Sequence, residues 1–316
     1  MTLSDLITQY VTYRQSLGAK FITNARQLRQ FVKFIGKDCS PTDITEEQTT
    51  AFMLYPTNTV TRKWFSRHSD LNGLFNWAIA RGIIKEAPLT DVVPRQPSVI
   101  KPYIYSNDEL ERMFEAALHY QQKPSKTYPE CMRMLLQVTY FLGLRLHEAL
   151  HLRIGDVNLD ESYALIRETK FYKSRYTPFN HLVRNHISCF MDWRKDVGMP
   201  DGKDDFLFLT RQNKPMRLEG IWLGFSKIRA MANIFRNDGA VYQPRIHDLR
   251  HTFAVNRLTQ WYREGKNVQE MLPLLSTYLG HAYIGHTSVY LTMTDALLEE
   301  ANNLFEKYVN PNGIKE

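Results

Sequence analysis

The last third of the chain holds its most reactive combination of residues. HDLRHTFA (residues 247–254) is followed by LGH at 279–281 and then, nine residues after His281, by Tyr290. Upstream, GLRLHEALHLRIGDV at 143–157 supplies Arg145 and Glu148. Forked guanidinium groups can grip the non-bridging oxygens of a phosphodiester, and histidines can hydrogen-bond to it. A tyrosine hydroxyl can then attack it in place of water. Singly, each residue is ordinary. Arg145 can pair with Glu148 three residues along a helix, and His247, Arg250 and His251 share a helical face. HDLRH also has the H-x-x-x-H spacing of a zinc-protease helix. Against that reading, Asp248 stands where the general-base Glu belongs, and Arg250 would put a guanidinium beside the metal. No metal and no other cofactor is expected.

The elements that position these residues can be read from apolar spacing. Residues 1–93 form a helical unit. Thr2 or Ser4 caps a first helix, and Phe21 to Ile35 make a second. Thr45 with Gln48 has capping-box spacing before a short third helix, and a longer one runs from about Thr59 to Arg81. Pro88, Pro94, Pro97 and Pro102 forbid a regular element between 87 and 102, so residues 94–102 are a linker between domains. The second domain, 103–316, restarts with a capping box at Ser106 and Glu109. Tyr163–Phe171 and Arg175–Asn180 alternate as a β-hairpin, with Asp205–Thr210 as a third strand. The chain is helical again from Trp222 onward.

The 316 residues carry 40 Lys and Arg against 33 Asp and Glu, a net charge of +7 that favours a polyanionic partner. Residues 1–98 contribute +4 of it, 12 basic against 8 acidic, in a third of the length. Arg62, Lys63 and Arg67, with Thr59 and Thr61, are candidate phosphate contacts on the polar side of the long helix; a solvated helix face fits that pattern equally. Cys39, Cys131 and Cys189 are odd in number and far apart, which fits reduced thiols rather than a disulfide framework or zinc knuckle. No secretory signal or membrane span is visible, so a cytoplasmic, nucleoid-associated location is expected.

GLRLHEALHLRIGDV, TKFYKSRYTPF at 169–179, HDLRHTFA, and LGH followed by Tyr290 resemble, in order and spacing, the signature boxes of the tyrosine recombinases, the phage-integrase, Xer and Cre-like family. The resemblance runs from about residue 105 to 305. It implies a mainly α fold with a small antiparallel β-sheet, in which a helical, SAM-like core-binding domain precedes the catalytic domain. Arg145 and Arg250 then match the two arginines that clamp the phosphate. His247 and His281 match the groups that hydrogen-bond to it, and His247 is also placed to help take the nucleophile's proton. Tyr290 matches the nucleophile that forms a 3′-phosphotyrosine, and Lys170 matches the general acid on a mobile hairpin, with Lys173 as fallback. Glu148 matches a supporting acid. Lys173 and Arg175 are further candidate DNA contacts.

The same resemblance implies a homotetramer on duplex DNA carrying specific recombination sites, working through a four-way junction, with accessory DNA-bending proteins as possible partners. Ala296, Leu297, Leu298, Ala301, Leu304, Phe305 and Val309 form an apolar stripe for a tail helix, which docks either on a neighbouring protomer or on its own domain. Gly285 and small polar residues suggest a segment that can move before Tyr290. The chain begins on the core-binding-like domain, so a separate N-terminal arm-binding domain is not expected. That favours integration or excision of a mobile element, or Xer-like resolution. Two alternatives remain at this point: relaxation of DNA by a type IB topoisomerase, and a non-catalytic DNA-binding regulator on the same fold.

Overall fold

The computed structural model describes residues 1–96, 101–123, 125–167, 174–240, 242–292 and 297–302. The chain divides into two compact units, Met1–Val99 and Ile100–Glu316.

Among the described residues the first unit has four α-helices: α1 (Leu3–Ser16), α2 (Ile22–Ile35), α3 (Glu46–Leu54) and α4 (Arg62–Ile79). Thr2 with Asp5 and Thr45 with Gln48 form reciprocal capping boxes that satisfy N–H groups at the starts of α1 and α3. Trp64, Leu71, Leu74, Phe75 and Ala78 bury one face of α4 in a core with Leu6, Leu28, Phe31 and Phe52. Full burial of a large apolar side chain contributes about 1.5–3 kcal/mol. Arg67 belongs to this buried face and is no phosphate contact. It follows Trp64 by three residues and precedes Leu71 by four, which puts it on the apolar stripe. Its side chain is buried, donates to the carbonyl of Phe52 at 2.6 Å and to that of Tyr55, and lies over the Phe52 ring.

The second unit runs through α5 (Asn107–His119), α6 (Pro129–Phe141), α7 (Leu146–Leu150), β1 (Val157–Asn158), β2 (Tyr163–Ile166), β3 (Arg175–Pro178), α8 (His181–Asp196), α9 (Leu218–Met231), α10 (Ile246–Arg263), α11 (Val268–Leu279) and α12 (Gly285–Ser288). A 3-10 turn covers Val289–Thr292, and residues 297–302 are helical. The fold is therefore mainly helical with a three-stranded antiparallel sheet in the order β1-β2-β3. Ala164 pairs with Thr177 and Ile166 with Arg175 across the hairpin. The third strand is β1, not Asp205–Thr210. Residues 206, 209 and 210 make isolated bridges to Arg153, Pro215 and Thr127, three separate segments that cannot make one ladder. A two-residue strand such as β1 is too short for alternation to reveal.

Two cores hold the second unit. One gathers Met113, Leu135, Leu136 and Ile228 from α5, α6 and α9. The other packs Phe253, Leu258, Leu275 and Leu279 of α10 and α11 around Tyr290 and Leu297. Leu297, the first leucine of the C-terminal stripe, is thus buried in its own unit, and Glu300 pairs with Arg263. Leu304, Phe305 and Val309 lie outside the described residues. Among the described residues no helix is long and apolar enough to cross a membrane.

Candidate active site

The turn between α6 and α7 delivers Arg145. Gly143 has φ +57°, and a Cβ there would stand 2.5 Å from the Phe253 ring, so both the backbone conformation and the space require glycine. Arg145 caps α7. Its Nη1 donates to Glu148 Oε1 at 2.7 Å and its backbone N–H to Oε2 at 3.0 Å. Arg175, the first residue of β3, grips the same carboxylate with both terminal nitrogens, at 3.1 and 2.8 Å. That guanidinium is committed inside the protein and is not a DNA contact. Arg250 approaches Glu148 from α10 at 3.8 Å. Burial alone would raise the Glu148 carboxyl. Arg175 first, then the Arg145 N–H and Arg250, overcome it and hold the pKa at about 2.

The end of α11 organises the same three arginines. The carbonyl of Tyr278 accepts from Arg175 Nε at 2.7 Å, that of Leu279 from Arg250 Nη2 at 2.6 Å, and that of Gly280 from Arg145 Nη2 at 3.1 Å. A helix C-terminus carries partial negative charge and carbonyls without intrahelical partners, so it suits three cations. Gly280 takes the left-handed conformation that ends the helix, and a Cβ there would press on Arg175 Nη1 at 2.8 Å. The LGH motif therefore supplies two carbonyl acceptors, a position that must be glycine, and His281. Arg250 also donates to Gly143 O at 2.7 Å. Its burial, and then the repulsion of Arg145, pull its pKa down to about 10.

The histidines and the tyrosine close the pocket. His281 Nδ1 is 2.7 Å from the Thr287 hydroxyl, and its ring stacks near Tyr290 with centroids 6.2 Å apart. Burial, then the charges of Arg250 and Arg145, depress His281 to about 3. His247, open to solvent on one side, is lowered by the protein packed around it and by Arg250. The Tyr290 hydroxyl lies 3.1 Å from Nδ1 of His251, whose ring meets His247 edge-on at 4.7 Å. Tyr290 is only 3% exposed, and burial raises its pKa, with Arg250 pulling against that.

Arg145, Glu148, His247, Arg250, His281 and Tyr290 are thus brought into one cluster. Arg145 and His247 remain partly open to solvent, while Arg250 and Tyr290 lie beneath. Lys170 and Lys173 lie outside the described residues. The hairpin that leads to them is anchored by Arg167, whose Nε donates to the buried Asp156. Thr59, Thr61, Arg62 and Lys63 lie in the first unit at the start of α4, all exposed except the half-buried N-cap Thr61. Two residues at the site had no such role in the sequence reading. His251 stood out there as half of a metal spacing and as a neighbour of His247 on one helical face, and Thr287 carries no motif signal. Among the described residues no group of three or more His, Cys, Asp or Glu is placed to hold a metal ion.

Known proteins share this arrangement of sequence and fold. Residues 104–296 match the family model described as the phage integrase family. The y4rE protein of Sinorhizobium fredii, which carries the name integrase/recombinase, is 31% identical over 300 residues, covering 95% of this chain and 94% of that protein. Among solved structures, the Tn1549 transposon integrase in complex with a circular intermediate DNA aligns with TM-score 0.69 at 18% identity, over 97% of this chain and 99% of that one. The lambda integrase tetramer bound to a Holliday junction aligns with TM-score 0.65 at 16% identity, over 92% and 77%. The chain belongs to the phage integrase family and is a site-specific tyrosine recombinase acting on DNA.

Proposed function

We propose that this recombinase cuts and rejoins one DNA strand at a time through Tyr290, forming a 3′-phosphotyrosine and releasing a 5′-hydroxyl. The observation that carries this reading is the convergence of Arg145, Arg250 and His281 on the end of α11, with the Tyr290 hydroxyl in the same pocket. Nucleophilic attack builds negative charge on the phosphorus oxygens. Two preorganised guanidinium groups stabilise that charge where it develops. In this assignment Arg145 and Arg250 clamp the phosphate, His247 and His281 hydrogen-bond to it, and Glu148 holds the arginines in place. Lys170 protonates the departing O5′. The phosphotyrosine conserves the energy of the cut bond, so religation to another 5′-hydroxyl needs no nucleotide triphosphate.

Because Tyr290 is buried, the exposed stretch at Tyr283 and Ile284 must move aside when the scissile phosphate enters, while Thr287 and Tyr290 keep their contacts to His281 and His251. Thr59, Thr61, Arg62 and Lys63 serve as phosphate contacts of the first unit. The protein acts in the cytoplasm, on the nucleoid, as a homotetramer on two duplex sites through a Holliday junction, with the C-terminal segment as the link between protomers. The lambda integrase tetramer on a Holliday junction supports this assembly. Its task is integration or excision of a mobile element, or Xer-like resolution.

Nicked suicide duplexes carrying candidate sites test the reading. Wild type should give a protein–DNA adduct that survives a denaturing gel, and Tyr290→Phe should give none. An adduct persisting in Tyr290→Phe would move the nucleophile to another tyrosine. Tyr283 is exposed, whereas Tyr278 is held by the Pro178 carbonyl at 3.2 Å.

A further inference from the structure

The tyrosine hydroxyl must lose its proton as it attacks, and HDLRH offers two histidines as acceptors. His247 lies at the solvent-facing edge with its ring against His251. His251, one turn deeper on α10, is half-buried and directs Nδ1 at the Tyr290 oxygen from 3.1 Å. That distance is within the range a general base needs, and the contact joins two parts of the chain 39 residues apart. We propose that His251, rather than His247, accepts the Tyr290 proton. The proposal rests on the reading of Tyr290 as nucleophile.

Several features of the site agree with this role. For Nδ1 to accept, the neutral ring carries its proton on Nε2. Burial, then the neighbouring His247, hold the His251 pKa at about 4, so the ring is neutral and its lone pair available. Arg250 and Arg245 also oppose its protonation, while the buried carboxylate of Asp248 favours it. A phosphodiester entering between Arg145 and Arg250 adds a negative charge that offsets the arginines and makes the imidazole a better base. Arg250, lacking any acceptor, can lower the cost of the phenolate but cannot take the proton.

The step balances within the site. The Tyr290 O–H bond breaks and its proton passes to His251 Nδ1 while the tyrosine oxygen bonds to phosphorus. The bond from phosphorus to O5′ breaks, and O5′ takes a proton from Lys170. Religation runs this backwards, with His251 returning its proton to the departing tyrosine oxygen.

The test uses the full-length protein on the suicide duplex under single-turnover conditions. His251→Asn keeps an acceptor near the position of Nδ1 but cannot hold the proton. It should bind site DNA as wild type does and form adduct slower by about 10²–10⁴-fold. His251→Gly should regain adduct formation when imidazole is added, which a purely structural role would not allow. A 5′-bridging phosphorothiolate, whose leaving group needs no proton, should lift the defect of Lys170→Ala and leave that of His251→Asn in place. His251→Asn cleaving at the wild-type rate would overturn the proposal. So would a His251 defect lifted by the phosphorothiolate, since that puts the residue on the leaving-group side. Adduct persisting in Tyr290→Phe would instead remove the reading beneath it.

Discussion

Two buried arginines, one in each unit, are alike in exposure and in their backbone acceptors and differ in what surrounds them. Arg67 and Arg250 are 4% and 1% exposed, and each donates to two backbone carbonyls. Arg67 has the Phe52 ring against it, and no ion pair to it occurs among the described residues. Arg250 shares its pocket with Arg145, Arg175, Glu148 and His281; burial lowers its pKa as it does that of Arg67, and the like charge of Arg145 lowers it further. Burying one guanidinium on carbonyls helps build a fold. Crowding three around one carboxylate and one helix end costs stability unless an anion arrives, and that excess of positive charge is what a phosphate can use.

The sharpest way to break this contrast is to blunt the two arginines in turn. Arg250→Lys keeps the charge but loses the fork, so a single ammonium cannot serve Gly143 O, Leu279 O and a phosphate at once. Adduct formation in a single turnover should fall about 10²–10³-fold, with site binding changed far less. Equal losses in binding and cleavage would mean that Arg250 only holds the fold, as Arg67 does.

Acid separates the two regions next. The Glu148 carboxyl sits near 2 against an ordinary 4.5, so its contribution is complete above about pH 4.5 and is lost as pH falls toward 2. The amount is on the order of 3 kcal/mol. His281, depressed from 6.5 to about 3, acts in the same direction over a higher window: stability is lost as pH falls below about 6.5. Denaturant midpoints of wild type and Glu148→Gln across this range should converge toward pH 2. Parallel curves would show that the arginine–carboxylate cluster adds nothing to the folded state.

Arg67→Met is the complementary change. It strips donors from the Phe52 and Tyr55 carbonyls but also removes a buried Nε that has no hydrogen-bond partner. A loss of about 2 kcal/mol is expected, insensitive to pH between 3 and 7, because only the always-charged guanidinium is removed. Cleavage by the folded variant should match wild type. A selective loss of site binding would return Arg67 to the DNA surface.

The contrast also marks where sequence reading stopped. Motif spacing singles out Arg145, His247, Arg250, His281 and Tyr290, which the structure gathers into one cluster, and capping boxes mark the starts of α3 and α5 through local i,i+3 contacts. Arg67 was misplaced because its charge outweighed its spacing; its offset from Trp64 and Leu71 already put it on the apolar stripe. Arg175 failed for another reason. Its partners, Glu148 and the Tyr278 carbonyl, lie 27 and 103 residues away, and no local pattern encodes a closure of that range. The third strand failed likewise, since Val157–Asn158 gains its identity only from pairing with β2.

Thr287 offers the finest test of how far the preorganisation extends. Thr287 is fully buried, with its hydroxyl 2.7 Å from His281 Nδ1, and so fixes the ring that stacks near Tyr290. With Nδ1 held by Thr287, Nε2 is left for the phosphate in the cleavage proposed above. Thr287→Val preserves the shape and deletes only the hydroxyl, leaving His281 free to turn. One neutral hydrogen bond is worth about 1 kcal/mol, so cleavage should slow by roughly tenfold while the thermal midpoint moves little. A larger fall in the thermal midpoint than in rate would make Thr287 a member of the Tyr290 core rather than of the site. The reverse pattern would place the boundary of the preorganised region one residue layer behind the groups that touch DNA.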